Sequence, residues 1–161
     1  MTRHEALDSA NKALREMLGL TDVSDNMLLF FREKLKDKTY TTKKQLETLI
    51  FQVCYENNLL RLVAHTNTII KHFQPTWIPC LTDLQQHLIL MKFKQLVEAH
   101  AILFPQRTLV NIPTIVVLIA KDLNLPHDEF RIIKVESRLK STVEHYETCK
   151  AFINKTCKSK L

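Results

Sequence analysis

The sequence predicts an all-α protein built from two five-helix repeats in tandem. Among its 161 residues there are one glycine and five prolines. So few turn-forming residues disfavour a sheet with many tight turns. Apolar residues recur instead with the helical spacing i, i+3, i+4, i+7, and one such segment is repeated later in the chain.

The repeat is clearest in two segments that begin at Gln45 and Asn111 and superpose at an offset of 66 residues. Both place apolar residues at i, i+3, i+4, i+7 and i+8, namely Leu46, Leu49, Ile50, Val53 and Cys54 in the first and Ile112, Ile115, Val116, Ile119 and Ala120 in the second. The same offset pairs Asn58 with Asn124. Further on, an offset of 73 pairs His72 with His145. The match predicts two domains, residues 1–75 and 76–161.

The first domain is expected to contain five helices, at residues 4–18, 22–37, 43–57, 60–65 and 67–74. Thr21 or Asp22 is placed to cap the second helix. Thr42 and Gln45 have the spacing of a capping box for the third helix.

The second domain is expected to contain helices at residues 82–89, 92–104, 112–124, 128–136 and 141–156. Thr82 with Gln85, and Ser141 with Glu144, have the spacing of helix-starting pairs. Asn111 is placed to cap the third helix, which is apolar almost all round and therefore predicted to lie in the middle of a bundle.

Charge is the first indication of a partner. The formal net charge is +6, and residues 131–161 carry eight Lys or Arg against three Glu. A basic end of this kind suggests a polyanion such as nucleic acid, although a solvated lysine-rich tail at residues 155–161 has the same composition. No C-x-x-C pair and no apolar leader are present, so we expect free thiols and an intracellular location. No membrane span is predicted, and no enzyme motif is found.

The order of elements resembles the cyclin fold, and more closely the paired cyclin-like repeats of the transcription factor IIB family. Residues 112–152 give an apolar third helix, a short fourth helix and a fifth helix closing on an aromatic residue, in that family's order. Residues 46–73 follow the same order more loosely. No zinc-ribbon sequence precedes the repeats, so we expect a core fragment or a protein without that polymerase-docking module.

The resemblance implies a transcription-initiation factor core. Such a protein is expected to bind double-stranded promoter DNA and a TATA-binding-protein-like factor and to recruit RNA polymerase, as a monomer, without a cofactor and without enzymatic activity. The composition, rich in Lys, Asn, Ile and Leu, suits a large DNA virus, with the nucleus or a cytoplasmic viral factory as the place of action.

The candidate DNA-binding motif is a helix-turn-helix formed by residues 130–136 and 141–156. In such a motif the start of the second helix enters the major groove. The candidate contacts in this region are Arg131, Lys134, Arg138, Lys140, Ser141, Thr142 and His145. Alternatively, Arg138 and Lys140 only solvate a turn while the apolar side chains of the second helix pack inward, namely Val143, Tyr146 and Ile153.

A second basic run at residues 32–44 supplies four further candidates for phosphate contact, Lys36, Lys38, Lys43 and Lys44. The interspersed Glu33 and Asp37 leave open a solvated helix end with pairs between neighbouring turns.

Two other interpretations remain. His145 and Cys149 are four residues apart, a spacing that zinc can use, but no third ligand is indicated, so no metal site is predicted. A cyclin-type module that binds a kinase or another helical partner would share the fold. The lysine and glutamate by which kinase-binding cyclins resemble one another are not evident here.

Overall fold

The structure, a computed structural model, describes residues 2–159, with side chains described for residues 2–156. This range is largely helical and contains no β-strand, so the predicted all-α class is confirmed. Its α-helices are α1 (Arg3–Met17), α2 (Asp25–Leu35), α3 (Lys43–Glu56), α4 (Thr66–Phe73), α5 (Asp83–Leu103), α6 (Ile112–Asp122) and α7 (Glu136–Ser159). Short 3-10 turns occupy Leu60–His65, Pro75–Trp77 and Glu129–Arg131. Within the described range, no helix has both the length and the apolarity to cross a bilayer. Most of the lysine-rich tail lies outside the described side chains.

The chain forms two compact units. One unit is Arg15–Cys80, and the other contains residues 2–14 together with the described residues from Leu81 onward. The division falls inside α1, so the start of that helix belongs to the second unit. The domains 1–75 and 76–161 were inferred from repetition rather than from contacts, and they stay a prediction.

The core of the Arg15–Cys80 unit forms around α3. Leu46, Ile50 and Cys54 lie on the predicted apolar stripe of this helix and are fully buried. Phe31 of α2 and Ile69 of α4 belong to the same cluster. Burying apolar side chains of this size contributes about 1.5–3 kcal/mol each. The stripe therefore fixes which face of α3 points inward.

Two predicted helix starts are confirmed by their capping boxes. The Thr42 side chain accepts a hydrogen bond from the Gln45 backbone N–H, and the Gln45 side chain bonds back to the Thr42 backbone. Thr82 and Gln85 do the same at the start of α5. Each box satisfies backbone donors that the first helical turn cannot satisfy itself.

The predicted start of α2 is wrong. Ser24 is the N-cap, rather than Thr21 or Asp22. The Thr21 hydroxyl instead lies 2.8 Å from His65 Nδ1 and also bonds to Thr68, so it ties the loop before α2 to the start of α4. A tertiary contact has taken the side chain that local spacing assigned to a cap.

In the second unit α6 is buried on almost every side, as predicted. Its buried residues are Ile112, Thr114, Ile115, Val116, Val117, Ile119 and Ala120. A helix without a polar face needs neighbours all round. Both α5 and α7 contact it.

The two helices predicted at residues 82–89 and 92–104 are one continuous helix, α5. Ile89 and Phe93 stand four residues apart and are both fully buried, so the apolar stripe runs through the supposed break. The intervening Leu90, Met91 and Lys92 are good helix formers, and no glycine or proline interrupts them.

The predicted helix pair 128–136 and 141–156 is also wrong. Only Glu129–Arg131 turns, as a 3-10 turn, and α7 then runs unbroken from Glu136. The Ile133 backbone N–H donates to Thr114 Oγ1 at 3.0 Å, which ties the segment before α7 to α6. The segment is rich in β-branched residues, which favour extended backbone. Ser141 therefore lies inside α7, and no helix-turn-helix forms.

The ends of α3 and α6 share one local geometry at the predicted offset. Asn58 and Asn124 both adopt left-handed backbone, with φ of 57° and 55°. The next residue bonds back to the helix in each case: Leu59 N–H to Cys54 O at 2.8 Å, and Leu125 N–H to Ala120 O at 2.9 Å. This is a helix-terminating motif that asparagine tolerates. It agrees with a duplication of these segments, while tandem cyclin-like repeats stay a prediction.

Candidate nucleic-acid interface

One face of α7 collects four of the predicted site residues. Arg138, Ser141, Thr142 and His145 follow the helical spacing i, i+3, i+4, i+7 and line a single cavity of about 610 Å³. The C-terminal half of α5, the loop between α5 and α6, and Ile115 of α6 form its other walls. The lining residues that the structure describes all belong to the second unit.

His145 is held between two side chains from the α5–α6 connection. Arg107 Nη1 lies 3.1 Å from His145 Nε2. The Phe104 ring meets the His145 ring edge-on, with 4.7 Å between the ring centroids. When the arginine donates, Nε2 must be the acceptor, so His145 carries its proton on Nδ1 in this arrangement.

Thr142 is buried, and its hydroxyl accepts a hydrogen bond from Asn111 Nδ2 at 2.8 Å. Asn111 has left-handed backbone, with φ of 61°, and stands at the predicted N-cap position of α6, but its side chain makes no capping hydrogen bond there. Its amide instead links the start of α6 to α7. Thr142 thus positions the cavity wall, whereas the neighbouring Ser141 is exposed.

The cavity is electropositive. Arg107 and Arg138 line it and stay charged at any ordinary pH, and no Asp or Glu is among the described residues of its lining. Burial, together with repulsion from the Arg107 guanidinium and from His145 when its ring is protonated, lowers the pKa of His100 at the cavity wall. Because a positive site disfavours further cations, the arrangement suits an anion.

The other candidates near α7 lie apart from the cavity. The Arg131 guanidinium stacks over the Phe130 ring at 5.1 Å from the ring centroid. Lys134 is exposed ahead of α7, and Lys140 is exposed on the helix but does not line the cavity. Because Lys140 is two residues from Arg138, its side chain leaves α7 in a different direction.

The four lysines of the first basic run belong to the Arg15–Cys80 unit. Lys36 and Lys38 follow the end of α2, and Lys43 and Lys44 begin α3. Lys36 Nζ is 2.6 Å from Glu33 Oε1, and Lys43 Nζ is 3.5 Å from Glu47 Oε1. These are pairs between neighbouring helical turns, as the alternative interpretation expected, although Glu47 replaces Asp37 as a partner. Lys38 and Lys44 are exposed.

No prediction from the sequence covered two residues of the site, Arg107 and His100. It was also not predicted that Asn111 would help to form the cavity wall by bonding to Thr142. Arg107 is 38 positions from His145, so no local pattern joins them. His100 gave a weak signal, since it follows Phe93 and Leu96 on the apolar stripe of α5 and is likewise buried. Across the described residues, no three His, Cys, Asp or Glu side chains come together to hold a metal ion.

No family model, curated protein or solved structure matches this chain. The likeness to the transcription factor IIB family therefore rests on the sequence pattern alone.

Proposed function

We propose that this protein is the DNA-binding core of a transcription-initiation assembly. The observation that carries the proposal is the joint placement of Arg107 and Arg138 around a cavity whose described lining contains no carboxylate. The Ser141 hydroxyl beside them adds a neutral donor. Guanidinium and hydroxyl groups are the usual protein partners of DNA phosphates.

The mode of binding follows from the continuity of α7, which leaves no helix-turn-helix in this region. Since Ser141 lies within a long helix, α7 does not present a recognition-helix start to base edges. Its basic face meets the sugar–phosphate backbone instead, and such contacts carry little sequence information. Promoter choice would then come from a TATA-binding-protein-like partner on the same DNA, and the assembled complex would recruit RNA polymerase.

Fluorescence anisotropy with a labelled duplex tests the proposal. Wild-type binding is expected to weaken steeply between about 50 and 200 mM salt. Arg138→Gln should lower the slope of log affinity against log salt by about 1. Lys140→Gln is the matched control, because it removes the same charge from an exposed residue of α7 outside the cavity.

Failure of the whole chain to bind duplex at either salt concentration, with and without a TATA-binding partner, would contradict the proposal. An equal loss in Lys140→Gln and Arg138→Gln would contradict its placement on the cavity face.

A second candidate is a protein-interaction module, favoured by an exposed apolar stripe on α5. Leu84 is 68% exposed, and Met91 and Leu88 are 46% and 39% exposed, at positions i, i+7 and i+4. Such a stripe is typical of a helix that receives another helix. If this is the main function, Leu88→Asp should abolish capture of a helical partner such as a kinase and leave duplex binding unchanged.

A further inference from the structure

The cavity beside α7 is larger than contact with a phosphate backbone requires. Its volume of about 610 Å³ falls in the range of small-molecule sites, roughly 300–1,000 Å³. Leu96 and Ile115, each 3% exposed, and Cys149, 1% exposed, line it. A duplex contacts protein through phosphates at the surface and would not reach this apolar lining.

The polar groups of the cavity include Arg107, Arg138 and Ser141, all of which are exposed. A guanidinium has five N–H donors, and the contact with His145 uses one from Arg107. Two guanidinium groups and a hydroxyl can together saturate three oxygens of a phosphate monoester. A carboxylate has only two oxygens, so it would use fewer of these donors.

We propose that this cavity binds a small organic phosphate, with the phosphate at Arg107 and Arg138 and an apolar body against Leu96 and Ile115. The exposed arginines call for an anionic group on the ligand, and the buried apolar lining calls for an apolar body. This goes beyond DNA binding, because it assigns the buried part of the cavity, which the duplex does not reach. The two ligands share the arginines, so the organic phosphate should compete with duplex.

Isothermal titration calorimetry with 1-naphthyl phosphate tests the proposal on the full chain. The controls are 1-naphthol, which lacks the anion, and inorganic phosphate, which lacks the apolar body. We expect one site per chain and affinity at least about tenfold higher for 1-naphthyl phosphate than for either control, since charge-assisted hydrogen bonds contribute that much or more.

Two variants separate the halves of the site. Arg138→Gln should weaken the binding of 1-naphthyl phosphate by about tenfold or more and leave the binding of 1-naphthol unchanged. Ser141→Phe should block the cavity to all three compounds. Ala151→Phe is its matched control, because Ala151 is also a small exposed residue of α7 but does not line the cavity. Thermal unfolding followed by circular dichroism confirms that each variant folds.

Equal affinities for 1-naphthyl phosphate and 1-naphthol would overturn the proposal, as would equal affinities for 1-naphthyl phosphate and inorganic phosphate. Unaltered binding by Ser141→Phe would also overturn it. Duplex binding measured on the same protein keeps the two proposals distinct: wild type that binds duplex but not 1-naphthyl phosphate removes only this inference.

Discussion

Gly19 stands at a position where both the backbone conformation and the surrounding atoms disfavour any larger residue. It has φ of 65°, and its backbone N–H donates to Glu16 O at the end of α1. A Cβ added there would lie 3.0 Å from the backbone oxygen of Asn67. Because Asn67 is fully buried and its side-chain amide donates to Met17 O at 2.8 Å, the neighbouring helix cannot withdraw easily.

Gly19→Ala is therefore expected to destabilise the protein by about 1–2 kcal/mol, from left-handed strain together with the tight contact. Urea unfolding followed by far-UV circular dichroism measures the change. Asn58→Gly is the control, since it relieves left-handed strain at an exposed position and should be neutral or slightly stabilising. Wild-type stability in Gly19→Ala would show that the loop relaxes around the added methyl group.

At the scale of elements, a three-residue network joins α6 to α7. The Tyr146 hydroxyl donates to Asp122 Oδ2, and Lys150 Nζ lies 3.0 Å from the same oxygen. Partial burial opposes ionisation of Asp122, but the hydrogen bonds from Tyr146 and Lys150 outweigh it and lower the pKa of the carboxyl. Burial and the bond to Asp122 raise the pKa of Tyr146.

We expect Tyr146→Phe to cost about 1 kcal/mol, the usual net worth of one hydrogen bond. Asp122→Asn should cost more, because it weakens both interactions. A carboxyl whose pKa is lowered in the folded state stabilises the fold at pH values above its unfolded pKa, which is near 3.9. This contribution is lost as the pH falls through the folded pKa. The cost of Asp122→Asn should therefore shrink below about pH 4, as urea midpoints at pH 7 and pH 3 would reveal. A pH-independent cost would mean that the charge of Asp122 does not matter.

Helix positions were predictable where a local pattern decides them. The capping boxes at Thr42 and Thr82 require only side chains three residues apart, and both form. The apolar stripes at Leu46 and Ile112 likewise need only helical periodicity to select the buried face. The pattern at Ser141 has the same spacing as these boxes but lies within α7. Spacing alone does not show whether such a pattern begins a helix or lies inside one that has already begun.

The candidate site was only half predictable for a related reason. Helical spacing was enough to place Ser141 and His145 on one face of the predicted helix 141–156. Arg138 was assigned to the turn before that helix, and it joins their face because α7 already begins at Glu136. Their opposite wall comes from the α5–α6 connection, and Arg107 reaches His145 through the tertiary fold alone. Lys140 has the same charge and nearly the same position in sequence as Arg138, and only the direction of its side chain separates the two.

Charge and packing are distributed differently over the whole molecule. The basic excess is concentrated in residues 131–161, whereas the Arg15–Cys80 unit has its own apolar core and carries internal ion pairs at Lys36 and Lys43. This core contains members of α2, α3 and α4, together with Ile78. All described members of this cluster lie within the Arg15–Cys80 unit, and none of them comes from the second unit.

A fragment of residues 15–80 should therefore fold alone, with helical circular dichroism and a cooperative but low-temperature melt. Low stability is expected because a domain of about 60 residues buries a smaller share of its surface than a larger one. Asn67→Ala in the fragment should abolish the melt, since it leaves the buried Met17 carbonyl without its donor. Lys44→Ala, at an exposed position, should not. An unfolded wild-type fragment would show that the Phe31–Ile50–Ile69 cluster depends on the rest of the chain, and the two units would then be one cooperative structure.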